Sequence, residues 1–361
     1  MSKSADVSIR QVGPKAAKRA IRKAIQTRRP VFLWGPPGIG KSDVVKQIGE
    51  DAGREVIDVR LALWEPTDIK GIPYYNADAG KMVWAPPAEL PTDPESTALI
   101  FLDELNSAPP AVQAAAYQLI LNRRVGTYHL PKGVDVVAAG NREGDRGVTY
   151  RMPSPLANRF IHLEMKVDFD DWQDWATLNK LHPEVVGYVA FAKQDLYDFD
   201  PKGASKSFAT PRSWMFVSDL LDDDDTDIDT LHNLIAGAIG DGLAIKFMAH
   251  RKIAAKLPKA ADVLDGKVKD LQVKEVSAMY SLTTSLCYEL KDRAEKKVKG
   301  WDSMADNFFE YMMANFSTEI VVMGAKTALT NFNLPLDATK MKSFDAFHKK
   351  YGKYVLQAMD N

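Results

Sequence analysis

Eight consecutive residues, Gly35-Pro36-Pro37-Gly38-Ile39-Gly40-Lys41-Ser42, follow the spacing G-x-x-x-x-G-K-[ST]. Glycines let a backbone wrap closely around phosphates, so that N–H groups and the start of the next helix face an anion. Lys41 would reach the β- and γ-phosphates, and the Ser42 hydroxyl would be a Mg²⁺ ligand. Asp43 completes the expected nucleotide-binding segment. The second chemical element is Asp103-Glu104, at the end of the apolar run Leu99-Ile100-Phe101-Leu102. Asp103 suits the Mg²⁺ shell, and Glu104 suits orienting and deprotonating an attacking water. The bland alternative is an acidic helix cap after a core strand, which a phosphate loop in the same chain disfavours.

Three more polar groups fit around these. Asn141 follows an apolar run at 134–139, where its amide could position the water. Arg159 ends the segment Ser154-Pro155-Leu156-Ala157-Asn158-Arg159-Phe160, just before another strand-like run. An arginine there would sit at an edge and could point into a neighbouring molecule's site. Arg212 follows Thr210-Pro211, a capping residue and a first-turn proline, so it falls in the first turn of a helix. A cation there opposes the helix dipole unless an anion such as phosphate offsets it. Singly, each has a structural alternative: a strand-end Asn, a surface Arg, a salt bridge. As a set they favour catalysis.

These groups need a scaffold that gathers strand ends. Short apolar runs at 31–34, 55–60, 98–102, 134–139 and 160–165 read as five strands, and helical patterns at 42–52 and 110–121 lie between them. Such alternation predicts an α/β fold, a parallel five-stranded sheet flanked by helices. Parallel sheets place their ligands beyond the carboxyl ends of the strands, where the phosphate loop and the acidic pair fall. Beyond Trp172 helical patterning takes over. The expected organisation is a nucleotide-binding core over 1–167, an all-α lid over 168–260 and a helical C-terminal extension over 261–361.

Composition narrows the class. Over 361 residues, 47 Lys and Arg balance 48 Asp and Glu for a net charge of −1, which argues against coating nucleic acid or lipid through bulk charge. A hydrophobic fraction of 45% is that of a globular chain. One cysteine, Cys287, permits no internal disulfide, and the histidines show no metal-ligand spacing. No apolar run suits a membrane span or a secretory signal, so a cytoplasmic protein is expected. Residues 1–30 hold nine basic side chains against one acidic, yet Ala17, Ala20, Ile21, Ala24 and Ile25 make an apolar stripe. A helix docked on the core with a solvated basic back is therefore the preferred reading over a nucleic-acid arm. The six aspartates within 222–229 read as a solvated loop or helix start.

The ordered series of phosphate loop, acidic pair, strand-end Asn, edge Arg and Thr-Pro-Arg helix resembles an AAA+ ATPase, a P-loop NTPase of the helix-2-insert clade. The finer resemblance is to the MoxR group. Asp103-Glu104-Leu105-Asn106-Ser107-Ala108-Pro109-Pro110 with Gln113-Ala114-Ala115 is similar to that group's Asp-Glu-Ile-Asn-Arg-Ala-Pro-Pro segment and its Gln-Ala-Ala. Asp68-Ile69-Lys70-Gly71 resembles its Asp-Ile-Thr-Gly, and Ser154 to Phe160 matches its pre-strand motif, with Asn158 in place of Asp. The resemblance covers about 15–260 and thins beyond. It implies ATP and Mg²⁺ as ligands, catalytic roles for Lys41, Glu104, Asn141, Arg159 and Arg212, and metal ligation by Ser42 and Asp103. It also implies a homo-oligomeric, usually hexameric ring. Client remodelling would be its work, with a von Willebrand factor A domain protein as the expected partner. One departure is Arg142-Glu143-Gly144-Asp145-Arg146 after Asn141, which makes Arg142, Arg146 and Arg151 rivals of Arg159.

Two insertions look like hairpins. In Gly71 to Pro86, aromatic flanks surround a turn-rich centre. In the resembling clade that hairpin faces the ring's pore, so Tyr74, Tyr75 and Trp84 are candidate substrate contacts, although simple hairpin packing is the preferred reading. A second, near 123–134, carries Arg124, Tyr128, His129 and Lys132. Phe308, Phe309, Tyr311, Met312, Met313 and Phe316 read as bundle core. A nucleic-acid motor or loader is the alternative function, supported by the basic N-terminus and the second hairpin. It lacks any recognisable nucleic-acid-binding module. A slowly hydrolysing nucleotide switch is a third.

Overall fold

Parallel strands with short apolar sequences must be buried on both faces, and here they build a six-stranded sheet. The computed structural model describes residues 10–142, 144–145, 149–203, 205–222 and 226–360. Glu143, Arg146, residues 1–9 of the basic N-terminus and 223–225 of the aspartate run lie outside the described residues. The chain divides into two compact units, the first of 1–168 with 200–202 and the second of the remainder.

In the first unit the strands are β1 (Gln11–Val12), β2 (Val31–Trp34), β3 (Val56–Arg60), β4 (Ile72–Asn76), β5 (Lys81–Ala85), β6 (Leu99–Asp103), β7 (Arg124–Val125), β8 (Tyr128–His129), β9 (Asp135–Gly140) and β10 (Ile161–Met165). Helices α1 (Pro14–Gln26), α2 (Lys41–Asp51), α3 (Pro66–Lys70), α4 (Pro110–Asn122) and α5 (Ser154–Ala157) lie between them. The sheet order is β1-β10-β2-β9-β6-β3, all parallel, and β4–β5 and β7–β8 are separate antiparallel hairpins. The five expected strands are present, with β1 as a sixth at the edge, where Gln11 pairs with Glu164 and Val12 with Met165. Two residues in a basic stretch are too short to leave a period-two signal, which is why β1 was not legible.

Burial explains the register. Every residue of β9 is buried, as are Leu99 to Leu102 of β6 and Val31 to Leu33 of β2. A helix enters between consecutive core strands because polar and Pro/Gly-rich loops end each apolar run. Helix α1 buries Ala17, Ile21 and Ala24 and exposes Arg19, Arg22 and Lys23, as its apolar stripe predicts. Lys18 and Arg22 both pair with Asp51 of α2.

The second unit is helical: α6 (Phe169–Leu178), α7 (Pro183–Phe191), α8 (Pro211–Leu221), α9 (Ile228–Ile239), α10 (Asp241–Ala254), α11 (Ala260–Leu264), α12 (Val276–Glu295), α13 (Trp301–Asn315), α14 (Thr318–Lys326) and α15 (Phe344–Asp360). Phe308, Phe309, Tyr311, Met312 and Phe316 are all buried in its core, as their spacing predicts, with Met313 packed against it. Asp227, from the aspartate run, caps α9 by accepting from the N–H groups of Asp229 and Thr230. Helices α7 and α12 approach so closely that a Cβ on Gly187 would lie 2.2 Å from the Ser281 Oγ.

That hydroxyl lies 3.0 Å from the Nε2 of His250, a buried imidazole whose Nδ1 has no hydrogen-bond partner. Burial holds the His250 pKa down at about 4, against the opposing charge of Glu184. A histidine with a depressed folded pKa stabilises the fold above its unfolded value near 6.5 and loses that contribution as pH falls toward 4. Between pH 7 and 5 the protein is expected to lose about 2 kcal/mol more stability than His250→Gln does. Denaturant titrations of both proteins at the two pH values measure this, and equal losses would reject it.

Candidate nucleotide site

The sheet register brings the sequence-predicted groups to one edge. Trp34 of β2 is level with Gly140 of β9, and Leu102 of β6 is level with Ala138. The chain therefore leaves β2 into Gly35, β9 into Asn141 and β6 into Glu104 side by side, with Asn141 between the glycine-rich loop and the acidic pair. Helix α2 begins at Lys41 behind Gly40, whose φ of 87° is the left-handed region that favours glycine. The loop and the first turn of α2, with Asp43 exposed in it, thus form an anion-binding N-terminus.

The Lys41 ammonium donates to the Gly35 carbonyl at 2.7 Å, the Pro36 carbonyl at 2.9 Å and the Asn141 Oδ1 at 3.1 Å. Two groups separated by a hundred residues thereby meet at the phosphate position. The Ser42 Oγ donates to the Asp103 Oδ2 at 3.1 Å. A hydroxyl and a half-buried carboxylate side by side are hard oxygen donors, and they fit a Mg²⁺ ion that keeps part of its water shell. Glu104 is exposed and takes a φ of 55°, uncommon for a residue other than glycine. Its N–H donates to the Asp103 Oδ1 at 2.9 Å. This turn ends the strand and aims the two carboxylates differently. Asp58 on the neighbouring strand has its carboxyl pKa raised by partial burial and by the charge of Asp103.

Arg159 is not brought to this cluster. Ile161 is level with Val31, at the opposite end of β2 from the loop. From Ile161 to Glu164, the residue level with Trp34, is three strand steps, about 10 Å, and Arg159 lies in the turn before that strand. Its side chain is exposed and makes no ion pair among the described residues. The rival Arg142 is otherwise engaged: it binds Asp145 at 2.9 Å and Glu164 at 3.3 Å, and its bonds to Asp145 foremost hold its pKa up. Arg151 is exposed, and Arg146 lies outside the described residues. In the second unit, Arg212 is exposed at the second position of α8, behind a cap in which Thr210 and Ser213 exchange side-chain-to-backbone bonds of 3.0 and 2.7 Å.

The hairpin residues separate by environment. Tyr74 is 49% and Tyr75 65% exposed, beside Ile72 and Met82, both also exposed, so hairpin packing does not account for them. Trp84 does pack, over Gly126 of the second hairpin, where its backbone N–H and carbonyl both bond the Thr127 hydroxyl. In that hairpin Tyr128 is buried and donates to the Pro91 carbonyl at 2.6 Å, and burial raises its phenol to about 12. Arg124, His129 and Lys132 are exposed.

One residue of the site was quoted in the sequence motif without a role. Asn106 is buried, and its Nδ2 donates to the Asn141 carbonyl at 2.7 Å. Its Oδ1 would lie 2.0 Å from a Cβ on Gly140, so glycine is required there for the approach. Asn106→Ala is expected to lower turnover between about ten- and a hundredfold by releasing Asn141, with ATP affinity nearly unchanged. Steady-state kinetics beside nucleotide titration tests this. Unchanged kcat would remove Asn106 from the site. Its sequence signal was its place three residues after Asp103, where a buried polar residue needs a partner.

A strand, a glycine-rich loop with Lys-Ser and a helix, one strand removed from a strand that ends at Asp103, form the arrangement expected of a P-loop nucleotide site. Residues 30–160, a stretch within the first unit, match the AAA domain of the dynein-related subfamily. The chain is 29% identical over 192 residues to midasin from Giardia intestinalis, a match covering 50% of this chain and 4% of that protein. It therefore spans a small fraction of that relative's length. Among solved structures, the RuvB Holliday junction branch migration motor of Thermotoga maritima is 17% identical, with 87% of this chain and 90% of that one covered and a TM-score of 0.36. NtrX from Brucella abortus in complex with ADP is 15% identical over 80% of this chain and 66% of that one, with a TM-score of 0.39. Among the described residues no helix is long and apolar enough to cross a membrane.

Proposed function

We propose that the protein is a Mg²⁺-dependent ATPase of the MoxR type that assembles into a ring and couples ATP hydrolysis to remodelling a partner protein. The observation that carries the client half is the exposed apolar hairpin of Ile72, Tyr74, Tyr75 and Met82, fastened through Trp84 to the domain that holds the nucleotide site. An apolar hairpin open to solvent is a surface for contact with polypeptide. The second unit would act as lid over 168–260, with 261–361 as an extension that docks a partner.

In this reading Lys41 exchanges its bonds to Gly35, Pro36 and Asn141 for phosphate oxygens. Bound Mg²⁺, held by Ser42 and Asp103, would neutralise charge on the β- and γ-phosphates. Glu104 accepts the proton of the water that attacks the γ-phosphorus, Asn141 orients that water, and ADP leaves with the bridging oxygen. Arg159 reaches the site of the adjacent subunit, supported by its distance from its own loop and its exposure. Arg212, at a helix start where a cation is unfavourable, serves the phosphates as the lid closes.

The test is a pull-down with Glu104→Gln protein held in Mg·ATP, compared with nucleotide-free bait. Retention of a protein partner that depends on ATP, one with a von Willebrand factor A domain above all, supports the reading. Nuclease-sensitive nucleic acid retained at physiological salt, without a protein partner, would replace it with the nucleic-acid motor.

A further inference from the structure

Two aromatic side chains join the strand before the phosphate loop to the turn that bears Arg159. The indole N–H of Trp34 donates to the Nδ1 of His162 at 2.9 Å, and the Nε2 of His162 lies 2.7 Å from the Ala157 carbonyl. An indole nitrogen can only donate, so Nδ1 is the acceptor and the proton sits on Nε2, donated to Ala157. The imidazole stacks on the indole at 6.0 Å and 23°, and Phe32 and Phe160 close the cluster. Ala157 is the last residue of α5, two before Arg159.

The two sides of this bridge are unequal. Strand β2 is hydrogen-bonded along both edges, to β10 and β9. Helix α5 has four residues and no side-chain cap, and the turn after it is closed by local bonds from Asn158, Arg159 and Phe160. A single helical turn is not stable alone. The buried Leu156 and Phe160 anchor it from below, and His162 ties its final carbonyl to the strand that leads into the loop. The bridge thus fixes the turn to the strand.

We infer that His162, fixed by Trp34, is a positioning residue for Arg159, setting the arginine that one subunit offers to its neighbour's nucleotide. The inference rests on Arg159 acting across an interface, and mixed assemblies separate the two ideas. One subunit carries Arg159→Ala and keeps Glu104. The other carries Glu104→Gln and keeps Arg159. ATPase activity of the mixture comes from interfaces that combine the intact halves.

Adding His162→Phe to the arginine-supplying subunit is expected to cut this activity at least about tenfold, the cost of a misplaced catalytic group. Adding it to the nucleotide-holding subunit should leave the activity within about twofold. His162→Gln, whose amide can both accept and donate, should restore most of it. Trp34→Phe in the arginine-supplying subunit should repeat the loss in milder form, and it serves as the test if His162→Phe does not fold. Equal losses in either subunit, or none, would overturn the positioning role. No activity in the unmodified mixture at ring-forming concentration would overturn the shared arginine itself, and this inference with it.

Discussion

Arg159→Ala is expected to lower the ATP turnover of the assembled protein by about 10³ or more, while ATP affinity stays within about twofold. An arginine supplied from a neighbour meets charge that develops on the transferring phosphoryl group, so its loss falls on kcat and spares ground-state binding. Within one chain Arg159 sits in the turn before β10, at the opposite end of β2 from the loop, a place that favours service to a neighbour's nucleotide. The effect should depend on assembly: at dilutions where subunits separate, wild type and variant should converge to the same low rate. Steady-state kinetics across a concentration series reads this out. A variant equally impaired as a dilute monomer would place the arginine's role within its own subunit. Arg142→Ala offers the contrast, since it breaks pairs with Asp145 and Glu164 inside the subunit and should show no concentration dependence of this kind.

Glu104→Gln is expected to bind Mg·ATP as wild type does and to hydrolyse it between about 10² and 10⁴ times more slowly. Glutamine keeps the size and the hydrogen bonds but cannot take a proton from water. The backbone of Glu104, in its left-handed turn, donates to Asp103 whatever the side chain, so the proposed Mg²⁺ ligands should be undisturbed. Nucleotide titration and single-turnover hydrolysis together measure this. Turnover close to wild type would remove Glu104 as the base. A parallel loss of binding would mean that the substitution had damaged the cleft.

The contrast between these two residues shows what could be read without tertiary structure. Glu104, Asp103, Lys41 and Ser42 lie within short segments whose local geometry is dictated by their own sequence: apolar strand, polar end, glycine turn, helix. Once the strands are parallel, their carboxyl ends meet by necessity, and Asn141 joins them because β9 lies between β2 and β6. The AAA-domain match, the helical second unit and the core role of Phe308 and Phe309 follow from patterns of the same local kind.

Side-chain environments were not legible in this way, because each depends on partners far apart in the chain. Arg142 and Arg159 look alike as sequence, yet Asp145 and Glu164 bind one and leave the other exposed. Tyr74, Tyr75 and Trp84 read as one aromatic hairpin, and only contact with Gly126 and Thr127 separates the packed residue from the two open ones. Asn106 reaches Asn141 across 35 positions, and Trp34 reaches His162 across 128. Backbone motifs are set by neighbours along the chain, so the sequence alone determined the glycine-rich loop, the helix behind it and the acidic strand end. Which charges stay paired, which aromatics stay exposed and which turn is held to which strand are set by contacts through space, and these the tertiary structure decided.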